Sequence, residues 1–182
     1  MVDAMPSAHG NLDWKPLLDH LDLVAAPVAD AARAGLVPSA QVAAIDGTLA
    51  DTAAFCAAYD VGLEHSANCV VVLGRRGETR TRAAVMVLGT DRADVNRIVR
   101  KHLGARRISF ADQAETEEVT GMTSGGITPV GLPEDWPVLV DQAVATSELL
   151  VIGGGVRDAK LLVSGAELAA LPGTEVLELR VG

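Results

Sequence analysis

The chain is poor in aromatic residues and cysteine, has no long apolar run, and lacks an overall basic charge. Two Trp, one Tyr and two Phe make up the aromatics of its 182 residues, although 49% of the chain is hydrophobic. Its core must therefore be aliphatic, built from Ala, Val and Leu, and few rings are left for stacking on unpaired bases. Cys56 and Cys69 are the only cysteines. Their spacing fits neither a zinc site nor a disulfide scaffold, and both fall in apolar patterns that read as core. No apolar run reaches the ~18 residues of a membrane span, and no basic-then-apolar leader opens the chain. The expectation is a soluble, reduced, cytoplasmic protein with no membrane partner. There is no Gly-Lys-Ser/Thr loop, no Gly-x-Ser-x-Gly elbow and no cluster with metal-ligand spacing. Neither a metal nor a cofactor is expected. A formal net charge of -9 argues against a general polyanion binder.

That charge is unevenly spread. Residues 1–64 carry two basic and nine acidic groups, and residues 108–182 carry three and twelve. Residues 75–107 carry ten basic and three acidic groups, with Arg outnumbering Lys nine to one. Such a run is either a solvated face paired with neighbouring acids or a patch for phosphates, which the guanidinium fork grips in pairs.

The apolar spacing predicts an α/β fold: a mixed, largely antiparallel sheet with peripheral helices. Residues 1–47 read as an N-terminal helical extension. A short amphipathic helix runs through Leu12–Leu21, a second covers Val24–Ala34 before Gly35, and an apolar segment Val42–Ile45 leads out. Residues 48–182 read as the main domain. Helical spacing runs to about Tyr59, and Cys69–Leu73 and Ala83–Leu88 form a hairpin across a polar, glycine-containing link. A helix through Val95–Leu103 stops at Gly104, and Arg107–Phe110 is a short strand. Asp112 with Glu115 starts a helix that Gly121 ends, and Ser164 with Glu167 spells a capping box. Strands are expected at Val138–Val140, Leu149–Ile152, Leu161–Val163 and Glu175–Leu179.

The richest stretch is Gly121-Met-Thr-Ser-Gly-Gly-Ile-Thr-Pro-Val-Gly131. Gly125 and Gly126 permit positive φ and close approach of a ligand to the main chain, and successive N–H groups there form a nest for an anion or a carbonyl oxygen. Pro129 stiffens the loop. A tight structural connection explains the same residues.

Gly125-Gly-Ile-Thr-Pro-Val-Gly131 resembles the Gly-x-x-x-Pro loop of the YbaK/EbsC family of aminoacyl-tRNA deacylases, which are similar to the editing domain of bacterial prolyl-tRNA synthetase. The flanking order agrees: Pro137-Val-Leu-Val-Asp141, Val151-Ile-Gly-Gly-Gly155, then Lys160-Leu-Leu-Val-Ser164, with the helix Asp94–Ala105 upstream. The resemblance covers Thr48 to the C-terminus. It implies a trans-editing hydrolase that cleaves the ester of mischarged aminoacyl-tRNA. Backbone N–H groups of Gly125, Gly126, Ile127 and Thr128 would face the developing oxyanion. Pro129, Gly131, Asp141, Gly153, Lys160 and His65 would line the substrate site, and Arg97, Arg100 and Lys101 would touch RNA. The implied partners are the 3′ end of aminoacyl-tRNA and an aminoacyl-tRNA synthetase.

One position departs from the family. Its usual lysine on the strand entering the sheet is replaced by Asn68, in Ser66-Ala-Asn-Cys-Val-Val-Val72. Asn donates and accepts hydrogen bonds but carries no charge. His65, Arg157 or Lys160 is then a candidate for the missing cation. The alternative is a catalytically impaired relative that binds aminoacyl-tRNA or a small ligand; a nucleotide- or phosphate-binding enzyme using the glycine nest is a third reading. Bland roles stand beside several candidates: a turn for Asp141, solvent for His65, packing for Trp136 and a turn cap for Thr128.

Overall fold

The computed structural model describes residues 7–182. Its longest elements are β3 (Ala67–Arg76) and β4 (Thr79–Leu88), paired antiparallel without a break from Ala67↔Leu88 to Arg76↔Thr79. Both strands run past the apolar segments that mark them in the sequence. Their outer residues are charged because solvent surrounds them, so alternation fades there while pairing continues. β5 (Arg107–Phe110) adds antiparallel to β3. β6 (Val138–Asp141) adds parallel to β4, and β9 (Thr174–Leu177) parallel to β6. The resulting order is β5-β3-β4-β6-β9.

A second, antiparallel sheet has the order β1-β2-β8-β7. It comprises β1 (Lys15–Pro16), β2 (Gln41–Ala44), β7 (Leu150–Gly153) and β8 (Ala159–Val163). A parallel bridge, Ser66↔Val151, joins the sheets at the foot of β3. The fold is thus mixed α/β and largely antiparallel, as the apolar spacing predicts.

The segment before residue 48 differs from a helical extension. Residues 1–6 lie outside the described residues. Of the two expected helices, α1 (Ala26–Arg33) forms, and Gly35 at φ +76° follows it. The stretch around Leu12–Leu21 instead supplies β1 and two single 3-10 turns, Leu17–Asp19 and Leu21–Leu23. Pro16 has no N–H for a helix ladder, and Leu17 is fully buried while Leu12, Trp14 and Leu21 pack in part against the core. β2 pairs with both β1 and β8, so this segment lies inside the second sheet.

Three apolar clusters hold the layers. The largest packs α1 between the sheets against Met86, Val140, Ile152 and Leu161. The second lies on the opposite face of the five-stranded sheet, beneath α3, a π turn over Val95–Val99 continued by an α turn over Arg100–His102. The third places Phe55 of α2 (Thr52–Tyr59) against Val151 and Leu162. Side-chain caps fix the helix starts. Asp112 caps α4 (Gln113–Thr120), which ends on Gly121 at φ +67°, Asp141 caps α5 (Gln142–Ala145), and the Ser164–Glu167 box caps α6 (Gly165–Ala169).

Candidate active site

Where the two sheets meet, a cavity of about 590 Å³ opens between the foot of β3, the end of β7 and the N-terminus of α2. Asn68 and Cys69 reach it from β3, Gly153 from β7 and Lys160 from β8. Ser124, Gly125 and Ile127 bring the loop after α4 against it, and Asp51 and Thr52 close the side at α2.

The loop's shape depends on its glycines. Gly125 sits at φ +90°, and a Cβ there would collide with the Arg157 guanidinium. That guanidinium ties the loop down: its Nη1 donates to the Ser124 carbonyl at 3.1 Å and its Nε to the Gly47 carbonyl at 3.1 Å. A Cβ on Gly126 would strike the Val156 backbone, and one on Gly153 the Gly126 carbonyl. The two glycine-rich segments therefore interlock through bare main chain. Gly155 N–H donates to the Gly126 carbonyl at 2.7 Å, and Gly126 N–H to the Thr123 carbonyl at 2.9 Å. This last bond occupies one of the four expected donors. The N–H groups of Gly125, Ile127 and Thr128 donate to no protein acceptor among the described residues.

Thr128 is fully buried and does not line the cavity, and its Oγ1 has no partner among the described residues. Pro129 and Gly131 turn to a second cavity, of about 240 Å³, shared with α1 and the buried Trp136.

Lys160 dominates the electrostatics of the larger cavity. Only 7% of it is exposed. Its Nζ donates to the Ala50 carbonyl at 3.0 Å and lies 5.1 Å from the centre of the Phe55 ring. No carboxylate pairs with it among the described residues. Burial pushes its pKa below the usual 10.5, and Arg157 adds to the fall, while Cys56 and Asp51 act the other way. An ammonium has three donors, so two remain for a ligand. Thr52 Oγ1 donates to Asn68 Oδ1, leaving the Asn68 amide N–H groups as donors. Burial pushes the Cys69 thiol up to about 12 and raises Cys56 as well, so neither is a ready thiolate nucleophile.

The other residues marked in the sequence lie elsewhere. Asp141 is completely buried; its Oδ1 accepts from Ala143 N–H at 2.9 Å and its Oδ2 from Leu179 N–H at 2.8 Å, with Arg180 Nε 3.4 Å from Oδ1. This carboxylate ties β6, α5 and the C-terminal segment together and does not line the cavity. His65 stands outside it, 3.7 Å from Glu64. Of the three cations weighed as replacements at position 68, Lys160 lines the cavity, whereas His65 and Arg157 do not. Arg97, Arg100 and Lys101 lie on α3; Arg97 pairs with Asp94 at 3.1 Å and Arg100 Nε donates to the Asn96 carbonyl at 2.7 Å. Asp51 and Thr52 escape sequence reasoning as cavity residues because an Asp-Thr pair before an apolar run reads as an ordinary helix start.

The chain is thus a two-sheet α/β protein whose pocket is walled by residues of a glycine loop and by a buried lysine. It belongs to the aminoacyl-tRNA editing domain family, which matches residues 47–171. Among solved structures it is similar to a candidate trans-editing enzyme for prolyl tRNA synthetase, with 22% identity and a TM-score of 0.71 over 86% of this chain and 99% of that one. A scaffold protein from computational epitope backbone grafting matches with 21% identity and TM-score 0.71, covering 86% and 96%. A hypothetical protein matches with 24% identity and TM-score 0.68, covering 78% and 91%. At these identities the likenesses establish a shared fold.

Proposed function

We propose that the protein is a trans-editing hydrolase that cleaves the ester between an amino acid and the 3′ end of a mischarged tRNA. The observation that supports this reading is that Gly125 and Ile127, whose N–H groups have no protein acceptor among the described residues, line one cavity with Asn68 and Lys160. The ester carbonyl accepts hydrogen bonds from the Gly125 and Ile127 N–H groups, both on the cavity wall. Water adds to the carbonyl carbon, and the negative charge that develops on oxygen is held by these preorganised donors, each worth about 10²–10³ in rate. The tetrahedral intermediate collapses by breaking the bond to the ribose oxygen, which takes up a proton. Free amino acid and uncharged tRNA leave. Such an ester needs no stronger nucleophile, consistent with two thiols held neutral by burial.

Lys160 supplies the positive charge that Asn68 lacks. It enters from β8, across the cavity from the foot of β3. A second reading is favoured by Asn68 itself: a neutral side chain bonded to Thr52, in a relative that binds aminoacyl-tRNA without cleaving it. Release of free amino acid from a panel of mischarged tRNAs separates the two. The hydrolase reading expects release from at least one substrate, with no gain from Asn68→Lys because Lys160 already provides the charge. No release at high protein concentration, together with activity appearing in Asn68→Lys, establishes the binder instead.

A further inference from the structure

The ten cations of residues 75–107 divide once the strands are paired. Arg82 is bonded to Glu115 at 3.0 Å and Arg97 to Asp94 at 3.1 Å. Of the eight without an ion pair among the described residues, Arg75, Arg80 and Arg107 are set together by strand register. The register sets Arg75 directly opposite Arg80 on one side and Arg107 on the other. Directly paired residues in a sheet point to the same face, with Cβ atoms about 5 Å apart, so three guanidinium stems form one row across β4, β3 and β5. All three residues are exposed, and none makes an ion pair among the described residues. Glu78, in the adjoining turn, pairs with none of them. Like charges directly opposite destabilise a sheet, so the fold itself gains nothing from this row.

We infer that the Arg80–Arg75–Arg107 row is a phosphate-backbone contact for the acceptor-stem end of the RNA whose 3′ terminus occupies the cavity. This deepens the editing reading and rests on it. The strands pair without a bulge, so alternation places Arg75 on the same face of β3 as Cys69, while Asn68 and Val70 line the cavity from the other face. Six residues of strand separate Arg75 from Cys69, about 20 Å at ~3.4 Å per residue. The row is about 10 Å wide across three strands, the width of a short run of phosphates. Arginine forks grip phosphate oxygens in pairs and need no base identity. The row sits on the hairpin, and α3, with Arg97, Arg100 and Lys101, packs on the opposite face of the same sheet.

The test is binding of an uncharged acceptor-stem hairpin ending in a single-stranded CCA, followed by fluorescence anisotropy over a salt series with the full chain. The triple variant Arg75→Gln, Arg80→Gln, Arg107→Gln should bind at least tenfold more weakly near 0.1 M salt. Each lost phosphate contact should reduce the slope of log affinity against log salt by about 0.7–0.9. The corresponding triple lysine variant should keep most of the slope. The glutamine variant should melt no lower than the parent, because it relieves repulsion. If it unfolds, single Arg80→Gln must shed one contact's worth of slope. An unchanged slope in the folded variant overturns the inference. The RNA is uncharged, so the outcome does not depend on hydrolysis. A reduced slope without ester cleavage leaves the row standing and removes the hydrolase, and cleavage with an unchanged slope does the reverse.

Discussion

Lys160 is held at a cost. Its ammonium has one backbone carbonyl and the face of one ring for company, where water would solvate it fully. Because burial lowers its folded-state pKa below 10.5, the unfolded chain binds more protons in the interval between the two values. Stability therefore rises as pH climbs through that interval, and it is lower below it. Lys160→Met keeps the stem's packing and removes the charge. At neutral pH its melting temperature should equal or exceed the parent's, its alkaline gain in stability should vanish, and deacylation should fall at least about 100-fold. A large drop in melting temperature with activity intact would assign Lys160 to the fold instead. The sequence makes this residue legible only as one of three cations near a neutral Asn68. Selecting it requires knowing that β8 delivers its side chain across the cavity, a long-range fact absent from local pattern.

At the scale of single elements, local chemistry carries further. The helix starts at Asp112 and Ser164, and the stops at Gly104 and Gly121, stand where the sequence signals place them, because caps are settled within four residues of chain. Helix α5 has four residues, too few for apolar spacing to register. Asp141 is half legible for the same reason: its place at a strand end is visible, but its bonds to Leu179 and Arg180 are not. The capping box of α6 does more than its motif implies. Glu167 also accepts from Ser39 N–H at 2.8 Å, joining α6 to the chain just before β2. Burial raises the pKa of its carboxyl, but the hydrogen bonds from Ser39 and Ser164 outweigh this and hold it below 4.5. A lowered carboxyl pKa stabilises the fold above the unfolded value, and that contribution is lost as pH falls through the folded one. Glu167→Ala should cost about 1–2 kcal/mol near pH 7 in chemical denaturation. The gap to the parent should close as pH falls below 4.5 and through the lower folded-state value.

For the molecule as a whole, the -9 charge resolves into an acidic body with Arg75, Arg76, Arg80 and Arg107 at one end of one sheet and Arg97, Arg100 and Lys101 on α3. On the editing reading, such a pattern of charge steers RNA toward these cations over long range. Among the described residues, no helix is long and apolar enough to cross a membrane. Strands β1 and β2 both precede the family match at residue 47, and β2 pairs along β8 from Gln41↔Leu162 to Ala44↔Ala159. A chain begun at residue 47 would retain every cavity residue named above, yet leave Ala159–Val163 with one side unpaired. Leu161, Leu162 and Val163 are each at most 1% exposed, so the bared edge would combine open backbone donors with an apolar face. Such a fragment should sediment as larger species than the full chain at the same concentration. β2 would then act as a guard against self-templating, lying outside the family match yet covering the edge on which copies of this sheet could add to one another.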